Sequence, residues 1–239
     1  MSVLTQIGSD FRNIRRDPML FMAMSAPVLL FLLVYFGFPA LNAFLLHTLN
    51  ASIADYYTFA CVFMLSLIPM MFGMVYGFIL LDERDEGLIT YYSITPVGKS
   101  GYLRMRMTAP VLFSFVVILL FVRFLNFDNG LIWWKHIPLA FITALQAPIM
   151  LLFLGGFAEN KVAGIAISKG FGLLLMAIII DYFIQSPWSL LAGISPLVWT
   201  ARGFFAQEPT HILIYLIAAL AIHGIYLLVL FSKFVRVEN

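Results

Sequence analysis

A series of long apolar stretches with few or no charges constrains this chain more than any other feature. A helix needs about 20 predominantly apolar residues to cross the hydrocarbon core of a bilayer, and the stretch from Thr58 to Leu81 contains no charged residue. Only 11% of all residues are charged, against about 25% in a typical soluble domain, so most of the surface must face lipid. We predict transmembrane helices at residues 19–41, 58–81, 109–127, 137–157, 163–184 and 210–231.

The predicted fold class is therefore an all-α polytopic membrane protein, with six transmembrane helices in a single domain that covers residues 1–239. Lys and Arg give the orientation, because cytoplasmic loops carry an excess of both. With the N-terminus inside, 3 of the 14 Lys and Arg residues face outward (Arg123, Lys135 and Arg202) and the other 11 face inward. We predict a multi-pass protein of the plasma (inner) membrane with both termini in the cytoplasm.

The first segment outside the spans, residues 1–17, has the pattern of a basic amphipathic helix. Its apolar residues recur at intervals of three or four, at Leu4, Ile7, Phe11 and Ile14. Arg12, Arg15 and Arg16 lie mostly on other faces. This pattern predicts a helix that lies on the inner leaflet, with Phe11 and the three arginines at the interface.

Two dipeptides have the composition of a helix start. Asp17-Pro18 combines an N-cap residue with proline at the first helical position, where its missing N–H costs nothing. Thr95-Pro96 repeats the pattern before the third span. We predict that a helix begins at each of them.

The second segment is the long cytoplasmic loop 82–107, which opens with four acidic residues in five positions: Asp82, Glu83, Asp85 and Glu86. Links between helices usually need only about 2–8 residues, so this loop is longer than a connector. On the residues alone, the simplest interpretation is a solvated helix end whose negative charge is offset by Arg84.

The third segment, residues 185–209, lies between the last two spans. It is rich in aromatic and apolar residues and is broken by Pro187, Gly193, Pro196 and Gly203. It is too apolar for a free loop and too interrupted to span. We predict short, half-inserted re-entrant helices at the outer interface.

The sequence lacks the motifs of common catalytic sites. There is no G-x-x-x-x-G-K-[ST] for ATP, no H-E-x-x-H for zinc and no G-x-S-x-G elbow, and the four histidines are scattered. We therefore expect a non-catalytic chain with no bound metal or cofactor. The net charge of +2 gives no reason to expect a nucleic-acid partner.

Four polar residues within the predicted spans are candidates for the pathway, since such groups are expensive in lipid. Arg123 lies near the outer end of its span and is expected to snorkel. Asp181 is either solvated or paired with Arg123. Gln146 and His223 lie deeper, either as interhelical hydrogen-bonding groups or as ligands of a substrate.

The loop and its neighbours resemble the type-2 membrane permeases of ATP-binding-cassette exporters. Those chains carry E-x-x-E-G after the second span, then a T-P or S-P step, and then tyrosine and basic residues before the third span. The matching residues here are Glu83, Glu86, Gly87, Thr95, Pro96, Val97, Tyr102, Arg104 and Arg106. Residues 159–169 and 194–199 are similar to the family's start of the fifth span and its proline–tryptophan stretch. One departure is Gly87-Leu88-Ile89, where the family usually has G-T-L.

The resemblance implies a function for the loop. In that family it forms a coupling helix that docks on a separate ATPase, so Glu83, Glu86, Gly87, Thr95 and Pro96 would belong to the coupling region. Two copies of an ATP-binding-cassette ATPase, which would bind ATP and Mg, and a second permease copy or homologue would complete the transporter. The implied activity is export of a hydrophobic or amphipathic substrate (a drug, peptide or lipid-like molecule) across a prokaryotic plasma membrane.

Two other classes remain open at this point. A stand-alone secondary transporter or channel would want inverted repeats or charges at the midplane, and neither is evident. A sensor or immunity protein with a permease fold but no transport is also compatible with the sequence.

Overall fold

The computed structural model describes residues 3–128, 130–184 and 187–237, and every regular element within them is helical. In chain order the α-helices are α1 (Val3–Arg16), α2 (Pro18–Leu32), α3 (Phe38–Leu49), α4 (Tyr57–Asp85), α5 (Leu88–Ser93), α6 (Gly98–Leu125), α7 (Trp133–Ala144), α8 (Gln146–Phe157), α9 (Lys161–Phe183), α10 (Pro196–Phe205) and α11 (Pro209–Val237). A π-helical turn, Leu33–Gly37, joins α2 to α3, and short 3-10 helices occupy Ala54–Tyr56 and Pro187–Ile194.

Six helical segments are long and apolar enough to cross a membrane, which confirms the predicted fold class. They are Pro18–Leu49, Ala54–Asp85, Gly98–Leu125, Trp133–Phe157, Lys161–Phe183 and Pro209–Arg236. We call the end that holds Arg16, Asp82 and Lys161 the basic end, because most of the Lys and Arg residues lie there; the other is the opposite end.

The first span is longer than predicted. Its helix continues past Asn42 to Leu49 and ends where Asn50 adopts a left-handed conformation with φ of 52°. Asn42 lies inside this helix and does not end it. Its side-chain oxygen accepts a hydrogen bond from the N–H of Ile53, at 2.8 Å, in the loop that follows the helix.

Of the two predicted helix starts, one is confirmed and one is wrong. Asp17 caps α2, and its Oδ1 accepts from the N–H groups of Met19 (2.9 Å) and Leu20 (3.2 Å). Thr95 does not cap α6, which begins at Gly98. Its hydroxyl donates to the carbonyl oxygen of Tyr92 at 2.8 Å, so it closes α5 instead.

The fourth span is broken near its centre. Helices α7 and α8 meet at Leu145, which is the middle residue of Trp133–Phe157. The break has a local cause, because Pro148 has no N–H to donate to the carbonyl of Ala144 and its ring crowds that group.

The second and fourth spans form the centre of the bundle. Their most apolar windows are 61% and 72% buried, against 17–33% for the other four spans. Two glycines of α4 allow the close approach. A Cβ on Gly73 would lie 2.4 Å from the carbonyl oxygen of Ala147, and one on Gly77 would lie 2.7 Å from Leu154. Small residues at such contacts are typical of helix packing in lipid.

Short helices occupy the segment predicted to be re-entrant. Residues 185 and 186 lie outside the described part of the chain, and the 3-10 helix Pro187–Ile194 is followed by α10. Helix α10 is buried along most of its length and packs against α7, α9 and α11. Gly203 brings it close to α7, where a Cβ would lie 2.5 Å from Leu139.

Helix α1 also forms as predicted, but its contact with the bundle is narrow. Ile14 and Asp10 are buried, whereas Phe11 is 62% exposed. The side chains of Leu4 and Ile7 lie outside the described part of the structure.

Candidate functional site

The predicted coupling loop folds into a compact cap at the basic end. Helix α4 runs through the acidic residues to Asp85, and Gly87 then turns the chain with φ of +75°, a conformation that favours glycine. The short helix α5 follows. Its Ile89 is buried, and its Tyr92 stacks on Tyr102 of α6 with ring centroids 4.6 Å apart.

Glu83, one of the predicted coupling residues, is part of an internal ion-pair network. Arg106 of α6 donates from Nε to Glu83 Oε2 at 2.7 Å and from Nη1 to Asp10 Oδ1 at 2.6 Å. Its Nη2 contacts Glu83 Oε1, and the Tyr102 hydroxyl donates to Glu83 Oε2. The side chains of Arg106 and Asp10 are 5% and 1% exposed. The network therefore joins α1, α4 and α6 and leaves Glu83 little freedom to meet a partner.

Asp82 belongs to a second network. Lys161, at the start of α9, donates to Asp17 Oδ2 at 2.8 Å and to Asp82 Oδ2 at 3.0 Å. Asp17 uses its other oxygen to cap α2. The hydrogen bond from Lys161 is the main reason that the pKa of Asp17 lies below its ordinary value. One lysine thus joins the starts of α2 and α9 to the end of α4.

Arg84, which the sequence suggested as the counter-charge of the neighbouring carboxylates, also contacts the end of α8. Its guanidinium donates to the carbonyl oxygens of Gly155 at 3.1 Å, Ala158 at 2.6 Å and Glu159 at 2.7 Å. The last carbonyls of a helix have no intrahelical partner. Arg84 therefore satisfies the end of α8 and fixes it to α4.

The remaining part of the loop is exposed and apolar. Ile94 is 83% exposed, Tyr91 62% and Val97 53%. Thr95 is partly exposed, and Pro96 is exposed. We call these five residues (Tyr91, Ile94, Thr95, Pro96 and Val97) the loop tip. The acidic residues at the end of α4 separate it from the apolar part of the second span, so lipid is a poor candidate to cover it.

Two acidic residues beside the loop tip remain available. Asp85 and Glu86 are exposed, and neither forms a hydrogen bond or ion pair with another described residue. Together with Asp17, Asp82 and Glu83 they line an open cleft of about 330 Å³. The basic end thus presents an apolar tip beside two free carboxylates.

Two buried polar side chains lie near the middle of the bundle. Gln146 is fully buried, and neither its Oε1 nor its Nε2 has a partner among the described residues. His223 is fully buried near the midpoint of Pro209–Arg236; its Nδ1 lies 2.8 Å from the carbonyl oxygen of Ala219, and its Nε2 has no described partner. Since a carbonyl oxygen only accepts, Nδ1 carries the proton and a neutral ring leaves Nε2 as an unused acceptor.

An apolar groove of about 550 Å³ runs between α8, α9 and α11. Its walls include Ile149, Phe153, Phe171, Leu174, Tyr226 and Leu230. Gln146 and His223 precede Ile149 and Tyr226 by three residues, which places each on the same face of its helix as the groove wall, one turn away. Pockets of this size and polarity are typical of sites for drug-sized molecules.

The sequence matches the family described as "Fluoroquinolones export permease protein Rv2686c-like" over residues 10–231. The chain belongs to this export permease family. Two relatives are the fluoroquinolones export permease proteins MT2760 and Rv2686c of Mycobacterium tuberculosis, from strains CDC 1551 / Oshkosh and ATCC 25618 / H37Rv. Each is 27% identical over 203 residues, which cover 84% of this chain and 80% of the relative. No solved structure is significantly similar to the chain.

At the opposite end of this export permease, Asp181 pairs with Arg202 and not with Arg123. Arg202 donates from Nε to Asp181 Oδ2 at 2.9 Å and from Nη2 to Oδ1 at 2.5 Å, and its guanidinium lies 5.0 Å from the centre of the Trp199 ring. This bidentate pair fastens α10 to α9. Arg123 is exposed and forms no hydrogen bond or ion pair with another described residue, as expected for a side chain that snorkels to the interface.

A buried network at the opposite end was not predicted. Asp128 accepts from Lys135 Nζ at 2.6 Å and from Gln207 Nε2 at 3.2 Å, and its Oδ2 lies 3.0 Å from His136 Nε2. Lys135 also donates to the carbonyl oxygen of Ala206 at 2.8 Å. The sequence feature that could have predicted this network is Lys135-His136 at the start of an apolar span, because a charge at such a position needs a partner. Among the described residues, no group of three or more His, Cys, Asp or Glu side chains is arranged to hold a metal.

Proposed function

We propose that this export permease is the membrane subunit of an exporter driven by a separate ATP-binding-cassette ATPase. Two ATPase chains would supply ATP and Mg, and a second copy of the permease or a homologue would complete the pathway. The observation that carries the proposal is the loop tip. It is an apolar surface at the end predicted to be cytoplasmic, beyond the charged layer, on a chain whose sequence contains no ATP-binding motif.

The contacts beneath the loop tip support a role in coupling. A segment that transmits movement from an ATPase has to be stiff. A series of contacts links the loop tip to the third span: Tyr92 stacks on Tyr102, the Tyr102 hydroxyl donates to Glu83, and Arg106 donates to Glu83. Thus Glu83 is proposed to act inside the chain, as part of the link. Glu86 and Asp85 are proposed to meet basic side chains of the ATPase.

The first test is a mild-detergent purification of the tagged chain from its source organism, with mass spectrometry of the associated proteins. We expect a soluble chain with Walker motifs in stoichiometric amount. Ile94→Asp should remove it by placing a charge in the contact. Val162→Asp, at a similarly exposed position (77%) at the start of α9, should leave it bound. A permease that never carries an ATPase would contradict the proposal.

The acidic residues give a second, independent test. Glu86→Lys should weaken ATPase binding and transport while the permease keeps its unfolding temperature, because Glu86 has no described internal partner. Glu83→Lys should lower the unfolding temperature itself, since it places a cation beside Arg106. Equal effects of the two variants on folding would contradict this division of roles.

For the substrate we propose a drug-sized amphipathic molecule. The relatives are named for fluoroquinolones, and the groove between α8, α9 and α11 has the volume and apolar walls for a planar organic compound. Inverted vesicles that contain the permease and its ATPase should accumulate a fluoroquinolone only with ATP. Accumulation that follows a proton gradient without ATP would favour a second candidate, a self-contained carrier. The broken fourth span and the polar residues Gln146 and His223 near the middle of the bundle are compatible with such a carrier.

A further inference from the structure

Three arginines of α1 have no counter-charge within the described protein. Arg12, Arg15 and Arg16 are exposed, and none of them forms an ion pair or hydrogen bond with another described residue. Asp10, the one acidic residue of α1, is already bound to Arg106. The positive charge on this helix is therefore available to a ligand from outside the chain.

An apolar groove opens beside these arginines. It has a volume of about 430 Å³ and lies between α1, which contributes Phe11, Ile14 and Arg15, and α2, which contributes Phe21, Met24 and Ser25. Arg15 forms part of its wall, and Arg12, three residues earlier, lies on the same side of α1. Positive charge therefore stands at one side of an apolar channel.

The depth of the groove identifies the kind of molecule that fits it. The first candidate membrane span begins at Pro18, the first residue of α2. At 1.5 Å per residue, Phe21 and Met24 lie about 5 and 9 Å along the helix from that point. This is the depth of the first acyl carbons below the headgroups, and Arg15 lies at headgroup level.

We propose that this groove binds one anionic phospholipid of the leaflet at the basic end. An acyl chain would lie along Phe21 and Met24, and the phosphate would accept charge-assisted hydrogen bonds from Arg15, with Arg12 close by. A zwitterionic lipid carries its own cation and gains less from three unpaired guanidinium groups.

Two ion pairs that share Arg106 connect the site to Glu83 of the loop 82–107. The same helix that carries Arg15 also carries Asp10, whose partner Arg106 holds Glu83. A lipid that fixes α1 against α2 therefore also supports the position of Asp10. This consequence does not depend on which molecule the permease exports.

Native mass spectrometry of the full chain tests the proposal, after extraction in a detergent that contains equal amounts of phosphatidylglycerol and phosphatidylcholine. The wild type should retain phosphatidylglycerol in preference. Arg15→Gln should reduce this retention about fivefold, the effect of one basic residue at an anionic surface. Lys169→Gln removes a charge at the same end outside the groove wall and should change retention less than twofold. Equal retention of the two lipids, or equal loss in the two variants, would overturn the proposal.

Two further arms separate a lipid from a simple phosphate site or from another occupant. Met24→Trp, or Ser25→Leu if the first variant does not fold, fills the groove and leaves every arginine in place; either should abolish retention of phosphatidylglycerol. Retention that survives groove filling, or that millimolar inorganic phosphate displaces completely, would mean that only the phosphate is bound and would refute the acyl-chain site. If a second copy of this chain occupied the groove, the protein would be a dimer that phosphatidylglycerol dissociates. That result would also contradict the proposed lipid site.

Discussion

Arg106 and Asp10, 96 residues apart in the chain, form an ion pair of 2.6 Å between the third span and the N-terminal helix. Both side chains are almost fully buried, and the same guanidinium holds Glu83 of the second span. Removing one member of a buried ion pair leaves an uncompensated charge, which costs far more than the pair contributes as a whole. The contact of α1 with α4 and α6 therefore depends on Arg106.

Arg106→Gln should lower the free energy of unfolding by about 3–5 kcal/mol, because the buried Asp10 carboxylate would be left without its counter-ion and Glu83 would lose the same partner. The measurement is unfolding of the purified chain by SDS titration in mixed micelles. Arg104→Gln is the matched control. Arg104 is exposed and only its stacking 5.8 Å from the Phe231 ring is lost, so we expect a change of about 0.5–1 kcal/mol. Similar losses in both variants would refute the central role of Arg106.

The Asp17 carboxylate has two separable functions, as the N-cap of α2 and as a partner of Lys161. Asp17→Asn keeps the cap, since asparagine caps about as well as aspartate, but loses the charge. Asp17→Ala loses both and should be about 1 kcal/mol less stable than Asp17→Asn. Equal stability of the two variants in the same SDS titration would mean that the cap contributes nothing.

The lowered pKa of Asp17 predicts how the stability difference between the wild type and Asp17→Asn changes with pH. A carboxylate with a lowered folded-state pKa stabilises the protein above its unfolded-state pKa, and this stabilisation disappears as the pH falls through the folded-state value. The stability difference between the wild type and Asp17→Asn should be complete above about pH 5 and should close below about pH 4. A difference that grows on acidification would have the wrong sign.

The contact between the second and fourth spans predicts a strong position effect for alanine. Gly73→Ala would place a methyl group 2.4 Å from the backbone oxygen of Ala147, which cannot move without shifting α8, so overpacking should cost about 1–3 kcal/mol. Gly224→Ala, in the last span, meets nothing within 4 Å and should be neutral. Thermal unfolding in detergent, followed by size-exclusion chromatography, compares the two. A neutral Gly73→Ala would mean that the spans are farther apart than described.

The buried network around Asp128 should be strongly non-additive. Asp128→Asn leaves Lys135 buried without its counter-ion and should cost about 3–5 kcal/mol. Adding Lys135→Met removes the orphaned charge and should restore much of that loss, because replacing a whole buried pair by apolar groups is often nearly neutral. Asp55→Asn, at an exposed position near the same end, serves as the control. A double variant less stable than Asp128→Asn alone would contradict the argument.

Local patterns were sufficient to predict the elements of this fold. The six spans, the N-terminal amphipathic helix, the cap at Asp17 and the short helices before the last span all follow from features within about 20 residues of one another. The prediction at Thr95 failed because a hydroxyl before proline also suits the end of the preceding helix. The sequence contains nothing that decides between these two uses.

The sequence did not predict which charged residues pair with each other. Asp181 had two arginines on the same predicted side, and only the packing of α10 against α9 brings Arg202 within reach. The four acidic side chains at positions 82–86 looked alike, yet Asp82 meets Lys161, Glu83 meets Arg106, and Glu86 meets no described residue. Ion pairs between distant helices depend on how the helices pack, and a single sequence does not specify that packing.

Gly155 of α8 lies against Leu80 of α4 and also against Phe234, close to the end of α11; a Cβ at this glycine would lie 2.7 Å from the Phe234 ring. One contact of the central pair of spans therefore comes from α11, which is synthesised after both of them. While synthesis is in progress, the newly inserted second and fourth spans have no Phe234 beside Gly155. A translation product that stops before residue 234 would leave the surface around Gly155 uncovered and accessible to membrane proteases. Early termination should therefore lead to rapid degradation of the fragment in cells and not to a stable, partly active transporter.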